Sequence, residues 1–122
     1  MVFMMISSVE LEYGGFFCGA ECRTVFFEND EIKVRRRFYN GAFDNGEELF
    51  VGVTKAEFLE RFEGPHIEDW KQEYVDIEIL DGIQWKLVIT YVDGRQRKYW
   101  GSNDFPYNFK KLLELMEMEW ID

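Results

Sequence analysis

Apolar and polar residues alternate most clearly from Ile83 to Tyr91, where Ile83, Trp85, Leu87, Ile89 and Tyr91 share one face. Gln84, Lys86 and Thr90 take the other face, interrupted only by Val88. The pattern predicts a half-buried strand. Asp81-Gly82 before it and Asp93-Gly94 after it favour the positive φ angles of tight turns, which predicts an antiparallel neighbour on either side. Val9, Leu11 and Tyr13 alternate with Glu10 and Glu12 and predict an earlier strand, ended by Gly14-Gly15. Two more strands, about Glu21 to Glu28 and Glu31 to Tyr39, flank Asn29-Asp30. A two-residue loop there sets Phe27 opposite Ile32 and Val25 opposite Val34, and also sets Glu28 against Glu31. Leu49 to Val53 reads as a fourth strand, weakened by Gly52. Val75, Ile77 and Ile79 alternate with Asp76 and Glu78. A three-residue loop over Asp81 to Ile83 then pairs Ile79 with Trp85 and Ile77 with Leu87, because register follows the buried face. Arg95 to Trp100 forms the last strand.

Helical spacing appears in three places. Thr54 as N-cap, Glu57 at the third helical position and Val53 against Phe58 make a capping box and a hydrophobic staple. Phe58, Leu59 and Phe62 give that helix its apolar stripe, and Gly64-Pro65 stops it. Ile67, Trp70 and Tyr74 continue at helical spacing and predict a second short helix. At the end of the chain Phe105, Phe109, Leu112, Leu113, Met116 and Trp120 fall on one helical face. Pro106 suits the first turn of this helix, with Ser102, Asn103 or Asp104 as cap. The expected architecture is α+β: a largely antiparallel sheet of about six to seven strands, one face covered by two or three helices including a C-terminal amphipathic helix. At 122 residues, with 47% hydrophobic and 18% aromatic content, residues 1–122 are expected to fold as a single domain.

Charge changes the picture more than composition does. The net charge of −10 is concentrated between residues 44 and 81, where twelve acids face only Lys55, Arg61 and Lys71. Residues 82–111 carry six bases and two acids. This polarity argues against nonspecific nucleic-acid binding, which requires bases to neutralise phosphates, and favours attraction to basic partners. Met1 to Ile6 lacks the basic leader and cleavage site of a secretory signal, and no stretch approaches the ~18 apolar residues of a membrane span. A soluble cytoplasmic protein with Cys18 and Cys22 as reduced thiols is therefore expected.

Candidate chemistry is sparse. Two cysteines and a single histidine, His66, are too few for a closed structural zinc site, and Cys18 with His66 as base is outweighed by two small, partly buried thiols. Asp44-Asn45-Gly46-Glu47-Glu48 lacks the ligand spacing of a calcium loop. Gly101-Ser102-Asn103-Asp104 offers backbone N–H groups to an anion that Asp104 would repel. No nucleophile, acid and base set stands out, so no enzyme, metal or cofactor is expected.

One resemblance concerns the C-terminal third. Asp81, Gly82, Trp85, Asp93, Gly94, Gly101, Asn103, Pro106, Asn108 and Phe109 form an Asp-Gly turn, a Trp-containing strand, a second Asp-Gly turn, then Gly-x-Asn-x-x-Pro-x-Asn-Phe opening a leucine-rich helix. This resembles the ending of a family of small uncharacterised bacterial proteins. The resemblance implies the fold of this segment and assigns no catalytic residue.

The leading expectation is a non-enzymatic domain that binds a protein with a basic surface, in the manner of small acidic inhibitors and immunity proteins. The acids expected to form that surface are Glu57, Glu60, Glu63, Glu68, Asp69 and Glu73. The alternative is a small-ligand or carbohydrate-binding domain that stacks its ligand on exposed Trp70 or Trp100. An uncovered edge strand leaves self-association open.

Overall fold

The computed structural model describes residues 6–15, 19–28, 31–39, 47–50, 54–76 and 82–118. Its strands are β1 (Ile6–Gly15), β2 (Gly19–Glu28), β3 (Glu31–Tyr39), β4 (Glu47–Phe50), β5 (Glu73–Val75), β6 (Ile83–Tyr91) and β7 (Gln96–Ser102). They form one sheet in the order β4-β3-β2-β1-β6-β7-β5. Five of these strands are seven residues or longer and make its body. β4 and β5, four and three residues long, are short additions at the two edges. The six to seven strands expected from the pattern thus resolve into five full strands and two edge pieces. Every pairing is antiparallel except that of β5 with β7. With helices α1 (Lys55–Phe62) and α2 (Phe109–Leu115), the fold is α+β.

The β2–β3 register follows the alternation: Val25 faces Val34, Phe27 faces Ile32, and Glu28 faces Glu31. β6 lies between two antiparallel neighbours, but one of them differs from the expectation. Trp85 faces Tyr13 of β1 on one side and Gly101 of β7 on the other, and Leu87 faces Leu11 and Tyr99. Both edges of β6 are therefore taken. The expected pairing of Ile79 with Trp85 and Ile77 with Leu87 falls on residues 77–81, which lie outside the described residues, and the partners of Trp85 and Leu87 come from β1 and β7. Val75, placed by the pattern in that hairpin, belongs instead to β5, which runs parallel to β7 with Glu73 opposite Trp100. The cause is apolar matching. β1 offers Val9, Leu11 and Tyr13 to Ile89, Leu87 and Trp85, all of them buried, whereas Val75 is 44% exposed.

A bulge between Ile6 and Ser8 adjusts β1. Strict alternation would send Ile6 to the face opposite Val9, Leu11 and Tyr13; the extra residue returns it to the core, where it faces Tyr91 and is fully buried. At the other end of β6, Gly94 takes φ 91 in a three-residue turn closed by Gly94 N–H donating to the Tyr91 carbonyl at 2.9 Å. Arg95 N–H donates to Asp93 Oδ1 at 3.1 Å, and this bond is the main reason the Asp93 carboxyl is held below its usual range.

α1 starts where the pattern places it: Glu57 N–H donates to Thr54 Oγ1 at 3.2 Å. Val53, the other half of the expected staple, lies outside the described residues. The second helix shrinks to one 3-10 turn, Ile67–Asp69, because Trp70 leaves it in an extended conformation to bury its ring. α2 begins at Phe109 rather than Phe105. Gly101 and Ser102 complete β7, and Asn103, at φ 59, accepts the Ile83 N–H on Oδ1 at 2.8 Å. Residues expected to cap the helix are thereby committed to closing the sheet. Phe109, Leu112, Leu113 and Met116 are buried as the helical stripe predicts; Trp120 lies outside the described residues.

The helices cover one face of the sheet. Phe27 meets Phe58 of α1 edge-on at 5.7 Å, and Trp85 meets Phe109 of α2 at 4.9 Å between ring centroids. Arg23, 6% exposed, lies on this same inner face opposite Leu11. Its Nη1 donates to the Met116 carbonyl at 2.9 Å, and its Nε pairs with Glu21 at 2.6 Å, so a buried guanidinium closes the C-terminal end of α2.

Gly101 is required by this packing. A Cβ there would overlap the Trp85 indole and approach the Tyr74 carbonyl to 2.7 Å. Gly101→Ala is expected to destabilise the fold by about 3 kcal/mol through overpacking. Gly94→Ala, which meets nothing within 4 Å, should cost only about 1 kcal/mol through its left-handed backbone. Denaturant unfolding followed by tryptophan fluorescence checks the order; equal losses would contradict the packing argument.

Candidate interaction surface

Three successive elements carry the acidic residues. Glu57, Glu60 and Glu63 recur every third position along α1 and its C-cap, so they neighbour one another on the helix surface. Glu68 and Asp69 lie in the 3-10 turn, and Glu73 opens β5. All six side chains are exposed. Glu68 lies 3.4 Å from His66 Nδ1, and Glu73 Oε2 accepts the Trp100 Nε1–H at 2.9 Å. Glu57, Glu60, Glu63 and Asp69 have no cationic partner among the described residues.

The bases of the same stretch are turned elsewhere. Lys55 Nζ sits over the Phe27 ring at 5.4 Å, and Lys71 Nζ over Tyr74 at 6.0 Å. Arg61 borders a groove between α1 and α2. Each base therefore serves an aromatic ring or an adjacent surface, and Glu57, Glu60, Glu63 and Asp69 stay uncompensated among the described residues.

The two tryptophans of the alternative reading part company. Trp70 is a core residue, 8% exposed, edge-on to Trp85 at 5.9 Å and to Tyr99 at 6.1 Å, with Nε1–H donating to the Pro65 carbonyl at 3.0 Å. Its faces are spent on packing, which removes it as an exposed stacking platform. Trp100 remains 36% exposed on the opposite face of the sheet, across from exposed Lys86.

Gly82, Trp85, Gly101, Asn103, Pro106, Asn108 and Phe109 of the C-terminal pattern lie at one end of β6, and the reason is steric; Asp93-Gly94 turns the chain at the other end, and Asp81 lies outside the described residues. A Cβ on Gly82 would overlap Asn103 Oδ1, the atom that accepts the Ile83 N–H. Trp85 Nε1–H donates to the Asp104 carbonyl at 2.9 Å, and Asn108 Nδ2 donates at 3.3 Å to the Pro65 carbonyl that also accepts from Trp70. Pro106 is buried and accepts the Phe109 N–H at 3.0 Å. Each polar atom closes a backbone connection rather than opening onto solvent, so the pattern builds the joint between sheet and α2.

His66, Glu68 and Asp69 bring three ligand-type atoms within 4.8 Å of one another, all on exposed side chains. Full exposure leaves the cluster without the packed supporting hydrogen bonds that orient metal ligands, and it carries no metal assignment. Cys22 is buried in β2, in the middle of the sheet; Cys18 lies outside the described residues. The Tyr91 phenol is pushed up by burial. No protein-family model matches the chain, and no curated protein or solved structure matches it at a significant level.

Sequence reasoning passed over Lys111 and counted Arg61 only among the three bases of residues 44–81. Spacing shows each base at the surface of its own helix, but only the packing of α1 beside α2 brings them to one groove. Trp70→Ala is expected to cost about 3–5 kcal/mol, as for other buried aromatics, while Trp100→Ala should cost under about 1 kcal/mol. Thermal or denaturant unfolding of the two variants distinguishes them, and comparable losses would place Trp100 in the core as well.

Proposed function

We propose that this chain is a non-enzymatic domain that binds a basic macromolecular partner, a protein, through Glu57, Glu60, Glu63, Glu68, Asp69 and Glu73. The observation that carries this reading is the electrostatic imbalance of the 54–76 segment: these six acids are exposed while its bases lie on rings or on a neighbouring groove. An uncompensated field of one sign accelerates encounter with the opposite sign and selects against phosphate-rich partners. Among the described residues no helix is long and apolar enough to cross a membrane. A chain with two cysteines suits a reducing compartment that keeps them as thiols, and we place the protein in the cytoplasm.

A second reading, a small-ligand or carbohydrate surface, rests on Trp100 alone. Its half-exposed ring is held by Glu73 and has Lys86 opposite, which supplies an apolar plane beside polar groups.

Charge reversal tests the leading reading against total charge. Glu60→Lys with Glu63→Lys, measured by calorimetry against poly-L-lysine at low salt, is expected to weaken binding about tenfold. The charge-matched control, Glu12→Lys with Glu114→Lys, should change it by less than about twofold. Equal losses in both would show that net charge, not this surface, drives association. The same pair of variants then serves to authenticate any natural partner.

A further inference from the structure

In a chain of net charge −10, two bases are left without an ion-pair partner among the described residues at the edge of one groove. α1 and α2 lie side by side, and the groove between them has a volume of about 400 Å³. Phe58 and Leu115 provide its apolar surface, the first buried and the second partly so, with Gly64 leaving one end free of a side chain. Arg61 comes from α1 and Lys111 from α2, both exposed. Glu117 also borders the groove, but its carboxylate lies 3.6 Å from Arg23 Nη1 and is partly neutralised there. Glu114 is the remaining acid of the lining.

We propose that this groove binds a small amphiphilic monoanion, an aliphatic or aromatic carboxylate. Its apolar part lies on Phe58 and Leu115, and its head is held between Arg61 and Lys111. The volume falls within the ~300–1,000 Å³ typical of small-ligand sites. The Arg61 guanidinium presents a planar fork that matches a carboxylate, and the Lys111 ammonium adds a point charge. Glu114 repels a second negative charge, so a monocarboxylate is favoured over a dicarboxylate or a phosphate ester. An amphipathic helix of a partner would need an apolar trough several turns long; two apolar side chains suit a short hydrocarbon or a single ring. The site rests on the pair of bases that face each other across the groove and does not depend on the acidic surface having a partner.

The test is a titration of the ¹⁵N-labelled intact chain with 3-phenylpropionate, beside its neutral alcohol and its ammonium analogue, followed by amide chemical shifts. Saturable shifts in the millimolar range are expected at Phe58, Arg61, Gly64 and residues 111–115 with the carboxylate. The ammonium analogue should produce none. Arg61→Gln and Lys111→Gln alter exposed side chains and should keep the spectrum of the folded chain while weakening the carboxylate at least about fivefold each. Glu114→Gln should tighten it about twofold and admit phenylsuccinate. Shifts centred elsewhere, equal binding of all three probes, or indifference to both Gln variants would overturn the assignment. So would binding of an amphipathic helical peptide in place of the carboxylate.

Discussion

The approach of the Trp85 indole to Gly101 is the contact on which the rest of the fold depends. Because β7 offers no Cβ there, the ring reaches across it and donates its Nε1–H to the Asp104 carbonyl. The same ring then meets Phe109 at 4.9 Å and Trp70 at 5.9 Å, each contact contributing about 0.5–1.5 kcal/mol beyond its buried area. One side chain therefore sets where α2 lies, how the 3-10 turn enters the core, and how β6 and β7 end. Asn103 and Gly82 repeat the device one residue pair away: a missing Cβ makes room for a side-chain oxygen that replaces a lost ladder partner. Arg23 completes the arrangement from the other end of α2 by accepting burial in exchange for the Met116 carbonyl and the Glu21 carboxylate.

Committing the aromatic rings to this joint decides what is left for the surface. Among the described residues few large apolar side chains face water, and Trp100 is the one indole well exposed. Charge is what remains, and it is sorted by position. The 54–76 segment directs its lysines onto Phe27 and Tyr74 and leaves Glu57, Glu60, Glu63 and Asp69 without a cationic partner among the described residues. Arg61, from the same helix, joins Lys111 across a groove instead of pairing with Glu57 or Glu60. One helix thus contributes to two surfaces, a row of exposed carboxylates and a groove bordered by Arg61 and Lys111.

Much of the sheet was legible because alternation carries register. Val25 opposite Val34 and Phe27 opposite Ile32 follow from two apolar series separated by a short loop. The partner of β6 was not legible. Val75, Ile77 and Ile79 offer Trp85 and Leu87 an apolar series much like that of Val9, Leu11 and Tyr13, and proximity in sequence favoured the wrong one. Only the place of β1 between β2 and β6 in the sheet resolves the choice. Alternation also held an unread signal at Arg23, which shares its face with Val25; a charge at an inward position announces a buried partner. For the acidic surface, exposure was readable from helical spacing, whereas the diversion of Lys55, Lys71 and Arg61 depends on contacts between elements far apart in the chain.

The central claim is that the Trp85 joint makes α2 and the sheet a single cooperative unit. Native-state hydrogen exchange measures this most directly. The account predicts that the amides of Leu112 and Leu113 in α2 exchange through the same opening, with the same free energy and denaturant dependence, as those of Leu11 in β1 and Leu87 in β6. Exchange of the α2 amides through a separate opening several kcal/mol less costly than that of β1 and β6 would show that the helix is merely laid on the sheet, and would contradict the account.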